Sequence, residues 1–284
     1  MSLSDESLSR ILRFSINLAR QAGAIIIDGS ASVRGEAINE KKNAVDLVTE
    51  WDVKVETFVR QEISRAYPTF KFIGEESFSA SETSGLTDEP TFCVDPIDGT
   101  TNFVHGFLLP AKPTIGVIYN PFLDHLYSGL RGHGSYLNER IRLPIHPPSP
   151  LLSLSSALIG LEWGSDRSRE ILSKKGGVEG GKMCHSIRSL GSAALNYTLV
   201  ASGSLDLYWS WDVCAGIVIA QEAGAFVAGS HISKFQDEVT EDILIGRKYI
   251  VVRAIADTTN ESGKDAQKRI VREFYSAVED YEPS

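Results

Sequence analysis

Apolar residues at the start of the chain recur at helical spacing. Leu8, Ile11, Leu12, Leu18, Ala19, Ala22, Ile25 and Ile26, with Ser15 among them, fall on one stripe. The pattern predicts a long amphipathic helix capped at Ser4 or Asp5 and stopped at Gly29. A second helix is expected over 50–67, burying Val55, Phe58, Val59 and Ile63, until Pro68 ends it. The period then changes to that of strands at 70–73, 92–94, 114–119, 125–129, 135–138 and 141–143. Four prolines between 144 and 150 mark a boundary, so the chain divides into halves at 1–146 and 147–284. Beyond it, strands are expected at 157–161, 205–208 and 249–256. Helices are expected at 165–174, from Gly191-Ser192 through Val200, over 213–223 closed by Gly224, and over 265–278.

Composition narrows the function. A net charge of −9 argues against binding a phosphate backbone, so nucleic acid is not an expected partner. No run of about 18 apolar residues exists, so no membrane span is expected. The acidic start lacks a signal pattern, and Cys93, Cys184 and Cys214 are an odd number far apart, which favours free thiols in a reducing compartment. A cytoplasmic protein is the expectation.

The chemistry concentrates in Phe92-Cys93-Val94-Asp95-Pro96-Ile97-Asp98-Gly99-Thr100-Thr101-Asn102-Phe103. A buried strand ends there in two carboxylates around a proline, and Gly99 with the threonines predicts a tight turn into a helix start, where exposed N–H groups attract anions. Asp52, Glu75, Asp95, Asp98 and Asp212 all fall near ends of predicted elements or on helix 50–67. An oxygen-only donor set suits magnesium, which shares its ligands with substrate phosphate. As bare sequence, Asp212 can also be read as a helix cap, Asp52 as a solvated helix residue and Lys41 as a loop charge.

Gly74-Glu75-Glu76-Ser77, the segment from Asp95 to Phe103, and Trp211-Asp212-Val213-Cys214-Ala215-Gly216 resemble the three signatures of the inositol monophosphatase family, in order. The likeness runs from the first helix to the last and is of fungal type. It implies an α/β fold, a layered α/β/α/β/α sandwich, and lithium-sensitive hydrolysis of a phosphate monoester using two or three Mg2+ ions. By resemblance, Glu75, Asp95 and the carbonyl of Ile97 hold one metal, and Asp95, Asp98 and Asp212 a second. Glu75 and Thr100 orient the attacking water, and Asp52 polarises it or holds a third ion, helped by Lys41. The backbone N–H groups of Gly99 and Thr100 receive phosphate, and Gly191, Ser192 and Ala193 contact the inositol ring. His105 is not needed as a base. The resemblance also implies a homodimer acting on a small phosphorylated polyol.

Two departures from the family pattern stand out. After residue 107 only Leu108-Leu109-Pro110-Ala111-Lys112-Pro113 precedes the next strand, so one sheet strand is missing, which leaves its neighbours to re-pair or the core to loosen. No acid stands between Asp206 and Asp212, where relatives carry a glutamate for substrate hydroxyls. Three functions remain open. The first is hydrolysis of myo-inositol monophosphate. The second is hydrolysis of another small phosphate: a nucleotide 3′(2′),5′-bisphosphate, a fructose bisphosphate or histidinol phosphate. The third is a family member with little or no activity because of the deletions.

Overall fold

The computed structural model describes residues 3–36, 44–75, 89–98, 102–109, 112–162, 184–210, 214–229, 239–240, 243–244 and 249–278. The chain forms two compact units, Met1–Ile141 with Cys214–Ile219, and Arg142–Val213 with Ala220–Ser284.

The first unit is built on a seven-stranded sheet in sequential order: β1 (Lys71–Gly74), β2 (Thr91–Asp98), β3 (Asn102–Leu109), β4 (Lys112–Asn120), β5 (His125–Leu130), β6 (Gly134–Leu137) and β7 (Ile141–Arg142). Only β1 and β2 run parallel among the register-defined neighbours; the pairs from β2 to β6 are antiparallel. Helices α1 (Asp5–Glu36) and α2 (Ala44–Ala66) cover one face. Their stripes, Ile11, Leu18, Ala19, Ala22, Val55, Val59 and Ile63, share a core with Phe92, Val94, Ile115 and Val117. These strand residues alternate with positions on the other face, as the pleat requires.

That other face carries a row of small residues. Cys93, Gly106, Gly116 and Gly129 are successive register partners across four strands. Onto the row packs the start of α4 (Ala215–Glu222): a β-carbon on Gly116 would strike the Ala215 carbonyl, and one on Gly129 would stand 3.1 Å from the Ile219 α-carbon. Glycine here permits close backbone approach.

The structure changes two local expectations. Gly29 does not stop α1, which continues to Glu36; its missing side chain instead admits the Trp51 indole, 2.5 Å from where a β-carbon would be. More consequentially, the chain after Asp98 does not start a helix. Asn102 is already paired with Asp98, and 102–109 forms β3, bonded to β2 on one side and β4 on the other. The strand expected to be missing has been replaced by the segment that follows the Asp-Pro-Ile-Asp motif. Unpaired N–H and C=O groups along β2 and β4 would cost more than re-pairing them, so the sheet stays continuous.

The second unit holds a five-stranded sheet in the order β11 (Phe226–Ala228), β12 (Tyr249–Val252), β10 (Leu207–Ser210), β8 (Leu158–Leu161), β9 (Ser186–Arg188). β8, β9 and β10 are parallel, and β12 is antiparallel to both its neighbours. α5 (Gly263–Ala277) packs Ala266, Ile270, Val271 and Phe274 on Ile159, Leu207, Trp209, Ile250 and Val252. α3 (Ala193–Ser202) lies on the alternate positions, where Tyr197 meets Tyr208 edge to face at 5.6 Å and Asn196 abuts Gly160. Local chemistry sets these helix ends: Ser192 and Ser262 cap through their hydroxyls, and Gly203 closes α3 in the left-handed region. The strand expected at 205–208 is shifted to Leu207–Ser210, and the one at 249–256 is shorter, ending at Val252.

Candidate active site

Glu75 directly follows β1, and Asp95 lies on β2 just past the last residue paired with β1. Gly74 is the register partner of Val94, and the Glu75 amide donates to the Val94 carbonyl at 3.1 Å, so the two acids follow side by side. Asp98 reaches the same side through a bulge. Asp95 pairs with Val104 and Asp98 with Asn102, so β2 fits two residues, Pro96 and Ile97, against one on β3. Val104 and Asn102 are two apart and share a face; their partners therefore do too. Without the bulge, residues three apart in a strand would point to opposite faces.

The carboxylate of Asp95 is also turned by its own backbone, since Oδ1 accepts the Ile97 amide at 3.1 Å. Asp95, Ile97 and Asp98 are half-buried and Glu75 is exposed. By strand alternation this is the Cys93 and Gly116 face, where α4 begins. Asp212 precedes that helix by three residues and lies outside the described residues, as do Gly99, Thr100 and Lys41. Cys93 interacts electrostatically with Cys214, which brings the chain two residues beyond Asp212 beside β2. Burial, with Cys93 adding to it, pushes the Cys214 thiol well above its ordinary value, which disfavours the reactive thiolate.

Asp52 is half-buried on α2, one turn before Glu56. Glu56 is a site-adjacent acid that the sequence reading passed over. It is 4 % exposed, its carboxylate would stand 2.5 Å from a β-carbon on Gly74, and Arg60 lies 3.7 Å away. Spacing of four from Asp52 was the signal available for it. Glu56 therefore backs the β1 end from the helix face, while Glu75 occupies the next position on the opposite face.

In the second unit, Gly191 is exposed with φ +72°, Ser192 is buried as the α3 cap, and Ala193 is half-buried at the first helical position. His105 sits in the middle of β3 opposite Val94.

Among the described residues no three His, Cys, Asp or Glu side chains gather as a metal cluster by themselves. The donor set does match a hard cation in kind: carboxylates of Glu75, Asp95 and Asp98 on one face of the strand ends, with no soft ligand required.

The fold is an α/β one, with carboxylates grouped on one face of β2 and beside the end of β1 as a donor set that a hard cation can use. The inositol monophosphatase family model matches residues 7–279, and the chain belongs to that family, whose members are metal-dependent phosphomonoesterases of small phosphate esters. It is similar to the protein qutG of Emericella nidulans, 37 % identical over 97 % of this chain and 96 % of the relative. It is also 35 % identical to inositol monophosphatase 2 of Saccharomyces cerevisiae, over 98 % of each. The fold matches inositol monophosphatase II of Staphylococcus aureus with a TM-score of 0.68 at 23 % identity, covering 93 % of this chain and 97 % of that one. The qutG alignment spans 315 positions against a chain of 284 residues, so it opens gaps in this chain. Among the described residues no helix is long and apolar enough to cross a membrane.

Proposed function

We propose that the protein is a magnesium-dependent phosphomonoesterase that hydrolyses myo-inositol monophosphate to inositol and phosphate. The observation that carries the reading is the shared face of Glu75, Asp95 and Asp98, produced by parallel strand ends and the bulge at Pro96–Ile97. Glu75, Asp95 and the Ile97 carbonyl would hold one Mg2+ ion, and Asp95, Asp98 and Asp212 a second. When bound, magnesium polarises the phosphoryl group and lowers the pKa of the attacking water. Glu75 and Thr100 orient that water, and Asp52 supports it or a third ion. Gly99 and Thr100 offer backbone N–H groups to the phosphate, and Gly191, Ser192 and Ala193 take the polyol.

A second reading, a family member of low activity, is favoured by one specific observation. Asn102 pairs with Asp98 and 102–109 is a strand, not the helix whose start would favour phosphate binding. Phosphate release from myo-inositol 1-phosphate, assayed with and without magnesium, separates the two. Release only with magnesium supports the first reading; no release from protein that melts cooperatively leaves the second. Adenosine 3′,5′-bisphosphate, fructose 1,6-bisphosphate and histidinol phosphate in the same assay test the substrate class.

A further inference from the structure

We infer that Glu162 is the positioning residue of the substrate loop 189–191, a role that rests on the assignment of Gly191, Ser192 and Ala193 to the polyol. Glu162 directly follows β8, at the carboxyl end of the three parallel strands β8, β9 and β10. Its side chain reaches the loop that directly follows the neighbouring strand β9. Oε1 accepts the Leu190 amide at 2.9 Å and Asn196 Nδ2 at 2.7 Å. Oε2 accepts the Gly191 amide at 3.0 Å and the Ser189 hydroxyl at 2.8 Å. A carboxylate offers about four acceptor sites, and here each oxygen takes two donors. The group is therefore engaged by both the loop and α3.

Asn196 ties the same carboxylate to the helix cap. It is fully buried, and its second Nδ2 hydrogen goes to the Ser192 carbonyl at 2.8 Å. Turning the amide over would aim Oδ1 at the Glu162 carboxylate, so one orientation is fixed. Oδ1 is left without a hydrogen-bond partner, packed where Gly160 has no side chain. Gly191 turns the chain into the Ser192 cap with a left-handed backbone, φ +72°, that favours glycine; space is not the reason, since nothing lies within 4 Å of its missing β-carbon. Glu162 thus fixes the backbone before Ser192 from one side, and the α3 cap fixes it from the other.

The test uses the full chain with two phosphate esters, myo-inositol 1-phosphate and p-nitrophenyl phosphate, the second lacking a polyol. Glu162→Ala should raise KM for the inositol ester by about tenfold, the scale of losing hydrogen bonds to a charged group. The kcat for both esters and the KM for p-nitrophenyl phosphate should stay unchanged. Glu162→Gln, which keeps one acceptor oxygen, should recover part of the loss. An equal loss on both esters, or a loss on neither, overturns the inference. Amide exchange gives a readout independent of turnover: the Leu190 and Gly191 amides should exchange faster in Glu162→Ala while those of β8 and β10 do not. Equal exchange in the variant and the parent also overturns it. If the parent protein hydrolyses neither ester, the functional reading fails, and the exchange measurement still decides whether Glu162 holds the loop.

Discussion

Gly116 and Ala215 meet backbone to backbone, leaving no room for a side chain between β4 and the start of α4. This contact fixes the start of α4 against the sheet face that carries Asp95 and Asp98. Gly116→Ala must displace a main-chain carbonyl, which no rotamer change relieves, and should cost about 1–3 kcal/mol of stability as overpacking does. Activity should fall further than stability. A shift of about 1 Å at a catalytic group can lower rate on the order of a hundredfold. Thermal melting and kcat/KM on the same preparation check both parts.

Asp95→Asn should abolish magnesium-dependent turnover while the protein still melts cooperatively. The loss should exceed the roughly 10–100-fold that partners of metal ligands cost when mutated, because Asp95 is proposed to serve both ions. A magnesium titration of phosphate release is the measurement, and chelation of the parent enzyme should reproduce the loss reversibly. Activity retained in Asp95→Asn would refute the ligand assignment.

The legibility of the site in the sequence was uneven, for physical reasons. The acids themselves were readable because Asp-Pro-Ile-Asp and Gly-Glu-Glu are short local signals. That Asp95 and Asp98 share a face was not, because it depends on a bulge created by pairing with β3. β3 in turn was read as part of a turn and a helix start. Nothing local in 102–109 reports that β2 and β4 would otherwise be unpaired. Gly29 misled in the same way: locally it is a helix stop, but it is occupied by the indole of a residue 22 positions later, Trp51. The start of α3 was legible, since Ser192 acts on its own neighbour Leu195, and the ends of α5 lie within two residues of the expected 265–278, while the caps at Gly203 and Ser262 had not been singled out. Glu162 had no sequence signal, because its four donors come from a segment more than 25 residues away.

In the second unit, Arg253 and Asp206 form an ion pair at 2.6 Å with side chains only 9 % and 18 % exposed. Asp206 Oδ2 also accepts the Leu158 amide, and Arg253 Nη1 donates to the Ser149 and Ala254 carbonyls. Arg253→Ala therefore strands a nearly buried carboxylate and two carbonyls at once. Losing one partner of a buried pair costs about 3–5 kcal/mol, and the residual exposure places this one near the lower bound. Denaturant unfolding should show the loss, and Arg253→Ala with Asp206→Ala should cost less than the sum of the single changes.

Glu261 should contribute to the acid limb of stability. Its hydrogen bond from Arg269 holds its carboxyl below the usual value of 4.5. A depressed acid contributes stability that is fully present above the unfolded pKa and lost as pH falls through the folded one. Glu261→Gln should therefore flatten the decline of melting temperature below pH 4.5 and leave its pH dependence above that point unchanged. Parallel pH series on the parent and the variant make the comparison.

The re-paired sheet makes the most exposed prediction. If 102–109 were the helix start and loop that the family pattern implies, a proline at 105 would touch few backbone hydrogen bonds. As the central strand of a sheet, with His105 opposite both Val94 and Val117, the segment has no edge where a missing N–H is tolerated. His105→Pro should then cost at least the penalty of a buried unsatisfied group, about 1–3 kcal/mol, with ring strain added. His105→Ala, which keeps the N–H, separates the backbone effect from any loss of the imidazole. Hydrogen exchange supplies the independent measurement: amides of 103–108 should be protected to nearly the level of β4 and β5. Rapid exchange across 103–108, with His105→Pro no less stable than His105→Ala, would show that β3 does not fill the gap between β2 and β4.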